Sequence, residues 1–148
     1  MSYIEDLRKI VGHRPLIMVG AGILITDARG WLLLGLRTDN QCWGIPGGSM
    51  ELHETLEETV RRETREETGL TVGKHSLYGV FSGPEFFYTY PNGDQVYNLS
   101  VVYLSSDFSG EIQTSEEHSA WEFFPPSQLP DPLSQPIETI VREWSEHL

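Results

Sequence analysis

The sequence predicts an α+β fold that combines hairpins with amphipathic helices, and two local signals carry this prediction. Residues 55–69 have the start and stop signals of a single helix. Asn92-Gly93 lies between two segments of strand-forming residues and is the best short hairpin signal. The chain has 148 residues, of which 39% are hydrophobic, so it is long enough to bury a core of its own. We therefore expect a single domain over residues 1–148.

The remaining elements follow from periodicity and turn signals. Apolar residues recur at helical spacing over Tyr3–Val11, and Gly12 ends that pattern. Residues 16–26 and 31–36 are apolar segments on either side of a turn, and together they are expected to form a hairpin. Further strands are predicted at 70–80, at 95–104, near 111–113 and at 121–124, and a closing amphipathic helix at Ile137, Ile140, Val141 and Trp144.

The central helix is predicted to run over Leu56–Thr68. Thr55 followed by Glu58 makes a capping box, in which each side chain bonds to the backbone amide of the other residue. Gly69 is the natural end of the helix, because a left-handed cap suits glycine best. A glycine pair at 47 and 48 precedes the helix and follows a proline, which indicates a tight loop.

One face of this helix carries both its apolar residues and its carboxylates. Leu56, Val60, Glu63 and Glu67 follow at i, i+4, i+7 and i+11, and Glu66 lies beside them. Like charges at such spacings repel by about 0.2–0.5 kcal/mol per pair, carboxylates in a last turn oppose the helix dipole, and burial removes their hydration. A solvated acidic surface is the alternative, but a bound divalent cation would relieve all three effects. An all-oxygen site suits Mg²⁺ or Mn²⁺.

The same stretch resembles the Nudix box of the Nudix (MutT-type) hydrolases. That motif places glycines and glutamates at fixed spacings around an Arg-Glu pair and a Glu-Glu pair. Thr64 departs from the motif, which has a bulky aliphatic residue there, so we expect weaker packing without the loss of a ligand. The matching residues are Gly48, Glu54, Arg62, Glu63, Glu66, Glu67, Gly69 and Leu70.

The resemblance implies the Nudix fold, an α/β/α sandwich with a mixed, largely antiparallel sheet between helices. It also implies an enzyme that hydrolyses phosphoanhydrides with Mg²⁺ or Mn²⁺. Glu63 and Glu67 are the first candidates for metal ligands, Glu66 is the next, and the backbone carbonyl of Gly47 is a supporting ligand. Arg62 is expected to orient these carboxylates by charge-assisted hydrogen bonds rather than to contact the substrate.

The sequence leaves the general base open. Members of the family often draw it from a glutamate in a loop before the last strand, which here means Glu117 or Glu116, and a box glutamate is a further candidate. An exposed loop acid without a role is an equal alternative for either residue. Glu54 is implied to be a structural or outer partner of the metal, and Glu51 is a candidate for a second ion. His53 is a lesser candidate for the base, because histidine titrates near neutral pH.

Aromatic side chains are the candidates for substrate binding. Tyr88, Phe86 and Trp43 could stack on a nucleobase, although packing is the alternative for Trp43, and core or dimer contacts are the alternative for the aromatic hairpin. Relatives that act on ADP-ribose tend to carry a proline near the position of Pro84. Relatives that act on dinucleoside polyphosphates tend to carry a tyrosine near that of Tyr88. Because both cues are present, the sequence does not choose between these substrates.

Charge and cysteine content restrict the partners. The formal net charge of −12 argues against binding to duplex nucleic acid or to an anionic membrane. Cys42 is the single cysteine, which fits a reducing compartment, and the first residues lack the features of a signal peptide. We therefore expect a cytoplasmic protein with a small-molecule substrate. A homodimer is compatible with the aromatic hairpin.

The leading functional hypothesis is a Mg²⁺-dependent pyrophosphohydrolase of a nucleoside diphosphate linked to another group, such as ADP-ribose, a nucleotide sugar or a dinucleoside polyphosphate. The alternative within the same class is a MutT-type enzyme that hydrolyses oxidised nucleoside triphosphates. A non-catalytic nucleotide sensor would be expected to lose box glutamates, which this chain keeps. An isopentenyl diphosphate isomerase-like enzyme would need a catalytic cysteine in its own motif, and Cys42 lies outside any such context.

Overall fold

A computed structural model describes residues 2–148, which form three helices and ten strands. The helices are α1 (Tyr3–Val11), α2 (Leu56–Thr68) and α3 (Gln135–Glu146), and a short 3₁₀ turn covers Pro84–Phe86. The strands are β1 (Leu16–Ile25), β2 (Leu32–Arg37), β3 (Trp43–Gly44), β4 (Gly47–Ser49), β5 (Thr71–Val72), β6 (Ser76–Phe81), β7 (Phe87–Thr89), β8 (Gln95–Ser105), β9 (Phe108–Ser109) and β10 (His118–Phe124).

The main sheet is mixed. Its strands follow the order β4-β1-β8-β6, and β7 also pairs with β8. The long pairing of β1 with β8 is parallel, whereas the other pairs in this sheet are antiparallel. A second, antiparallel sheet has the order β10-β2-β3, and β5 pairs with β9 in a short ribbon. The expected mixed, largely antiparallel arrangement is therefore confirmed.

Alternating side chains of the central strands divide the core into two layers. Ile23 and Ile25 pack with Val60 of α2, whereas Leu24 between them packs with Ile140 and Trp144 of α3. Such alternation is the period of a strand that is buried on both faces. The sheets consequently lie between α2 and α3, as expected of an α/β/α sandwich.

The central helix begins and ends where the sequence predicts. The Thr55 hydroxyl accepts a hydrogen bond from the Glu58 amide at 3.1 Å, and the Glu58 carboxylate accepts one from the Thr55 amide at 3.0 Å. Gly69 caps the helix in the left-handed conformation with φ of 80°. Since both caps are local, neighbouring residues alone determine the extent of this helix.

The predicted hairpin of residues 16–36 is wrong as a pairing of two full strands. β1 is already paired on one side with β4 and on the other with β8, so β2 pairs instead with β10 and β3. Only an isolated bridge between Thr26 and Leu32 remains of the hairpin. The turn itself is present, because the Asp27 amide bonds to the carbonyl oxygen of Trp31.

Other strand boundaries also differ from prediction. The segment 70–80 is divided into β5 and β6, since Asp107 binds the backbone amides of Gly73 and Lys74 and turns the chain between them. The short strand expected near 111–113 lies instead at Phe108–Ser109, where it pairs with β5. The Asn92-Gly93 turn joins β7 to β8 as expected. Among residues 2–148, no helix is both long and apolar enough to cross a membrane.

Candidate active site

An acidic pocket lies at the C-terminal end of α2. It is lined by three glutamates of the helix and by residues of the loop that precedes β10. Thr38 holds this loop, because its amide bonds to the carbonyl oxygen of Glu117 and its hydroxyl to that of Glu116. The structure thus brings together the helix and loop acids that the sequence singles out, which are Glu63, Glu66, Glu67, Glu116 and Glu117.

Glu67 is the most deeply buried of these acids. Its side chain accepts a hydrogen bond from the Gly47 amide at 2.9 Å, and the residue is 7% exposed. Burial raises the pKa of Glu67 to about 8, the Gly47 amide opposes this shift, and the charges of Glu63 and Glu117 add to it. A cation bound here would offset both the burial and the charge repulsion that raise the pKa of this carboxyl.

Glu63 lies against the backbone of β4. A Cβ atom placed on Gly48 would stand 2.5 Å from the carboxyl carbon of Glu63, so only glycine leaves room for this carboxylate. Burial raises the pKa of Glu63, and the neighbouring guanidinium of Arg62 opposes that shift. Gly48 therefore has a steric role, because the absence of a side chain makes room for the Glu63 carboxylate.

Arg62 holds the acids of the pocket in place. Its guanidinium donates to Glu54 through Nε at 2.6 Å and through Nη2 at 3.0 Å, and to Glu63 through Nη1 at 2.8 Å. Arg62 also reaches the carbonyl oxygen of Ser49 at 3.2 Å and the largely exposed Glu66 at 3.5 Å. The hydrogen bonds from Arg62 lower the pKa of Glu54 to about 2. This geometry agrees with the predicted orienting role of Arg62 and with a structural role for Glu54.

Two further candidate residues, one acid and one base, lie in the loop before α2. Glu51 accepts a hydrogen bond from the Tyr3 amide at 2.9 Å, which fixes the start of α1. His53 is exposed and adopts a positive φ of 70° in the loop before α2. Neither residue lines the acidic pocket among the described residues 2–148.

The structure adds His118, a residue that the sequence did not single out. This residue is 2% exposed, and its Nδ1 atom lies 3.8 Å from Oε2 of Glu67. Its ring packs against Trp121 with centroids 4.6 Å apart. Burial lowers the pKa of His118 to about 4, so the imidazole is neutral at pH 7. A β-bulge between His118 and Ala120 interrupts the alternation that would otherwise have marked this position as buried.

A second cavity lies on the other side of β4. The main sheet, the loop after β2 and the start of α3 form its walls. Tyr88 and Tyr90 meet edge to face with centroids 4.9 Å apart, and the Tyr88 hydroxyl accepts a hydrogen bond from the Asn40 amide at 3.0 Å. The other polar residues that line the cavity are Arg37, Ser49, Asn98, Ser100, His118 and Ser134.

The three aromatic candidates for substrate binding differ in position. Tyr88 lines the cavity, as a stacking residue would. Phe86 is 2% exposed and belongs to the core beside α3, because its side chain faces the interior rather than the cavity. Trp43 packs edge to face on Phe124 with centroids 5.0 Å apart, which fits the packing alternative. The expectation that Phe86 and Trp43 bind substrate is therefore not supported by their positions.

Comparison with protein families identifies the chain's relatives. The NUDIX domain family profile matches residues 16–147. An ADP-ribose pyrophosphatase of Methanocaldococcus jannaschii is 35% identical over 143 residues, which cover 95% of this chain and 79% of that protein. A MutT-like protein of Streptomyces ambofaciens is 31% identical over 121 residues, or 82% of this chain and 72% of the relative.

Solved structures show the same architecture. The crystal structure of a MutT NUDIX hydrolase from Burkholderia pseudomallei has a TM-score of 0.72 and 30% identity, and the match covers 86% of this chain and 97% of that one. The NUDIX domain of Shewanella oneidensis NrtR, crystallised with ADP ribose, has a TM-score of 0.71 with 99% of each chain covered. At 17% identity, this second likeness shows the fold alone.

Proposed function

This chain belongs to the Nudix family of hydrolases, which act on pyrophosphate bonds. We propose that it cleaves a nucleoside diphosphate linked to a second group, with Mg²⁺ or Mn²⁺ as cofactor. The observation that carries the proposal is the arrangement around β4. Glu63 and Glu67 of α2 lie against the backbone of β4 and share a pocket with the loop acids, while β4 also lines the aromatic cavity. A substrate that spans both would place its base in the cavity and its diphosphate beside the carboxylates.

The acidic pocket fits a divalent cation. Hard oxygen donors converge there, and the charges of Glu63 and Glu117 add to the effect of burial in raising the pKa of Glu67, which a cation would offset. Glu63, Glu67 and Glu66, together with the carbonyl of Gly47, would hold the ion. When bound, such an ion supplies charge neutralisation for the phosphates and an acidified water.

The chain's own residues would align the reaction. Arg62 holds Glu63 and Glu54 in fixed orientations through its hydrogen bonds. Glu117 is exposed at the rim of the acidic pocket, where it could accept a proton from the attacking water as general base, with Glu116 as the alternative. Both loop acids depend on Thr38 for their position. Catalysis would thus combine the carboxylates of one helix with one tethered loop.

The cavity supports a nucleoside as the bound half of the substrate. Tyr88 and Tyr90 offer aromatic faces, and aromatic side chains can stack on any nucleobase. Arg37 brings a guanidinium to the same cavity, although it is paired with Asp39 at 2.7 Å. The similarity to an archaeal ADP-ribose pyrophosphatase supports ADP-ribose as the first compound of this class to test.

A hydrolysis screen tests the proposal. ADP-ribose, nucleotide sugars, dinucleoside polyphosphates, and normal and oxidised nucleoside triphosphates would be incubated with the protein, with and without Mg²⁺ or Mn²⁺, and the products identified. Release of AMP and ribose 5-phosphate from ADP-ribose, dependent on metal, is the expected result. If triphosphates are the only compounds hydrolysed and they release pyrophosphate, the MutT-type alternative is favoured. The similarity to MutT-named proteins also supports that alternative. Tight binding without products would indicate a sensor.

We also propose a cytoplasmic homodimer. Ile17 and Tyr97 are register partners on β1 and β8, and they are 80% and 43% exposed. Exposed neighbouring apolar side chains of this kind mark interaction surfaces. Light scattering coupled to size-exclusion chromatography should give a dimer mass, and Ile17→Lys should reduce it to that of a monomer. A monomeric wild-type protein would refute the dimer without affecting the proposed reaction.

A further inference from the structure

We propose that His118 supplies a nitrogen ligand to a metal ion that it shares with Glu67 and Glu117, and that this ligand favours Mn²⁺ or Co²⁺ over Mg²⁺. The inference rests on the proposed metal dependence and deepens it, because a nitrogen ligand strengthens the binding of transition-metal ions relative to Mg²⁺. Imidazole suits transition-metal ions, whereas Mg²⁺ is bound almost entirely by oxygen.

The spacing of the three residues fits an ion between them. One ligand atom from each of Glu67, Glu117 and His118 can be chosen so that all lie within 4.8 Å of one another. The distance of 3.8 Å between His118 Nδ1 and Glu67 Oε2 is too long for a hydrogen bond. Ligand atoms that each stand about 2.1 Å from one ion are roughly 3–4 Å apart. The exposed Glu117 is free to adjust to an ion held by the two buried groups, and with Glu117 as a ligand the role of general base passes to Glu116.

His118 itself is the second observation that points to a ligand. Its Nδ1 atom is buried and, within residues 2–148, has no hydrogen-bond partner. Most buried polar atoms in proteins are hydrogen-bonded, so an unpartnered nitrogen beside the Glu67 carboxylate calls for an explanation. A metal ion would supply the missing partner and would also neutralise Glu67.

The surrounding structure fixes this arrangement. Trp121 packs against the His118 ring, and its indole nitrogen donates to the backbone carbonyl of Glu67 at 3.1 Å. One tryptophan therefore positions both the imidazole and the residue that it faces. A histidine that served only to fill the core would not require its ring nitrogen to lie beside a buried carboxylate.

Pulsed electron paramagnetic resonance of the Mn²⁺-loaded protein tests the ligand directly. We expect coupling to a directly bound nitrogen in the wild type and its loss in His118→Phe, which keeps an aromatic ring against Trp121. His75→Phe is the matched control, because His75 also packs against an aromatic ring, that of Tyr103, and should keep the signal. Absence of nitrogen coupling in the wild type, or its persistence in His118→Phe, would overturn the proposal.

Calorimetric titration with Co²⁺ and Mg²⁺ gives a second measurement. His118→Asn, which offers an oxygen in place of the nitrogen, should weaken Co²⁺ binding by about tenfold or more and leave Mg²⁺ binding within about threefold. Glu117→Gln changes an exposed residue and should also weaken Co²⁺ binding, more than the neighbouring control Glu116→Gln. Equal loss of both metals in His118→Asn, or equal effects of the two loop variants, would contradict the shared site.

The outcomes separate this inference from the proposed function. Metal-dependent hydrolysis without nitrogen coupling would refute the histidine ligand and leave the reaction intact. Nitrogen coupling in a protein that hydrolyses no compound of the panel would support the ligand and refute the proposed reaction.

Discussion

The two sides of β4 differ in both chemistry and origin. On one side lie the carboxylates of the half-buried Glu63 and the buried Glu67, which come from a single helix. On the other side is a cavity with aromatic and amide side chains such as Tyr88 and Asn40, and these residues come from segments distant in sequence. The helix carboxylates of the acidic side are thus local in sequence, whereas the cavity exists only after the sheet has formed.

Glycine makes this thin partition possible. A Cβ on Gly48 would collide with the carboxylate of Glu63, and a Cβ on Gly47 would stand 2.5 Å from the carbonyl oxygen of Ala21. The backbone therefore approaches both the helix and β1 more closely than any other residue would allow. The proposed reacting groups and binding groups thus lie on either side of a strand that begins with two glycines. The two sides should accordingly respond differently to mutation.

The largest expected effect is that of Glu67→Gln. The variant keeps an acceptor for the Gly47 amide but loses the charge of a proposed metal ligand, so turnover should fall about a hundredfold or more. Steady-state kinetics with Mn²⁺ or Mg²⁺ measures this loss, and thermal unfolding should show a folded protein. Glu122→Gln, a change of an exposed carboxylate on β10, is the control. Near-normal turnover in Glu67→Gln would remove this residue from the metal site.

Arg62→Ala should damage both the acidic side and the stability of the fold. It leaves the largely buried carboxylate of Glu54 without its main partner, which costs about 1–3 kcal/mol of unfolding free energy at pH 7. The pKa of Glu54 is lowered to about 2 from 4.5, so this contribution is present above pH 4.5 and is lost as the pH falls through 2.

Urea unfolding of the wild type and of Arg62→Ala at several pH values measures this effect. The difference between the two proteins should be largest at pH 7 and should shrink in acid. The exposed ion pair of Arg142 with Glu138 offers a control, since Arg142→Ala should change stability by less than about 1 kcal/mol. A pH-independent difference for Arg62→Ala would contradict the assigned pairing with Glu54.

Tyr88→Ala should affect binding rather than chemistry. Removal of one stacking face costs about 1–3 kcal/mol of binding free energy per base. KM should therefore rise about tenfold, while kcat stays near that of the wild type. Phe87→Ala is the matched control, because Phe87 pairs with Tyr97 with ring centroids 4.9 Å apart and does not line the cavity. If kcat falls and KM does not change, the division of roles between the two sides of β4 is wrong.

The smallest expected effect is a pH-dependent stabilisation by metal. The pKa of Glu67 rises from 4.5 to about 8 on folding, so its favourable contribution is complete below pH 4.5 and is lost as the pH rises through 8. The Tm of protein kept metal-free with a chelator should therefore fall between pH 5 and pH 8 more in the wild type than in Glu67→Gln. Added Mn²⁺ should raise the Tm more at pH 8 than at pH 5. Equal shifts at both values would argue against ion binding at Glu67.

Much of the acidic side could be predicted from the sequence because its geometry is that of one helix. The capping box and Gly69 determine where α2 begins and ends, and a period of 3.6 residues then places Glu63 and Glu67 on the face of Val60. These are short-range interactions between residues near in sequence. The orienting role of Arg62 also followed from its position next to the glutamates.

Tertiary structure alone decided the rest. The pairing of β1 with β8 joins segments far apart in the chain, and it occupied the edge that a β1–β2 hairpin would have used. The same long-range packing buried Phe86, left Tyr88 at the cavity and brought His118 to within 3.8 Å of Glu67. No local signal encodes such contacts, because they depend on which strands compete successfully for each sheet edge. The sequence by itself therefore determined the carboxylate helix, and the folded sheet determined what that helix faces.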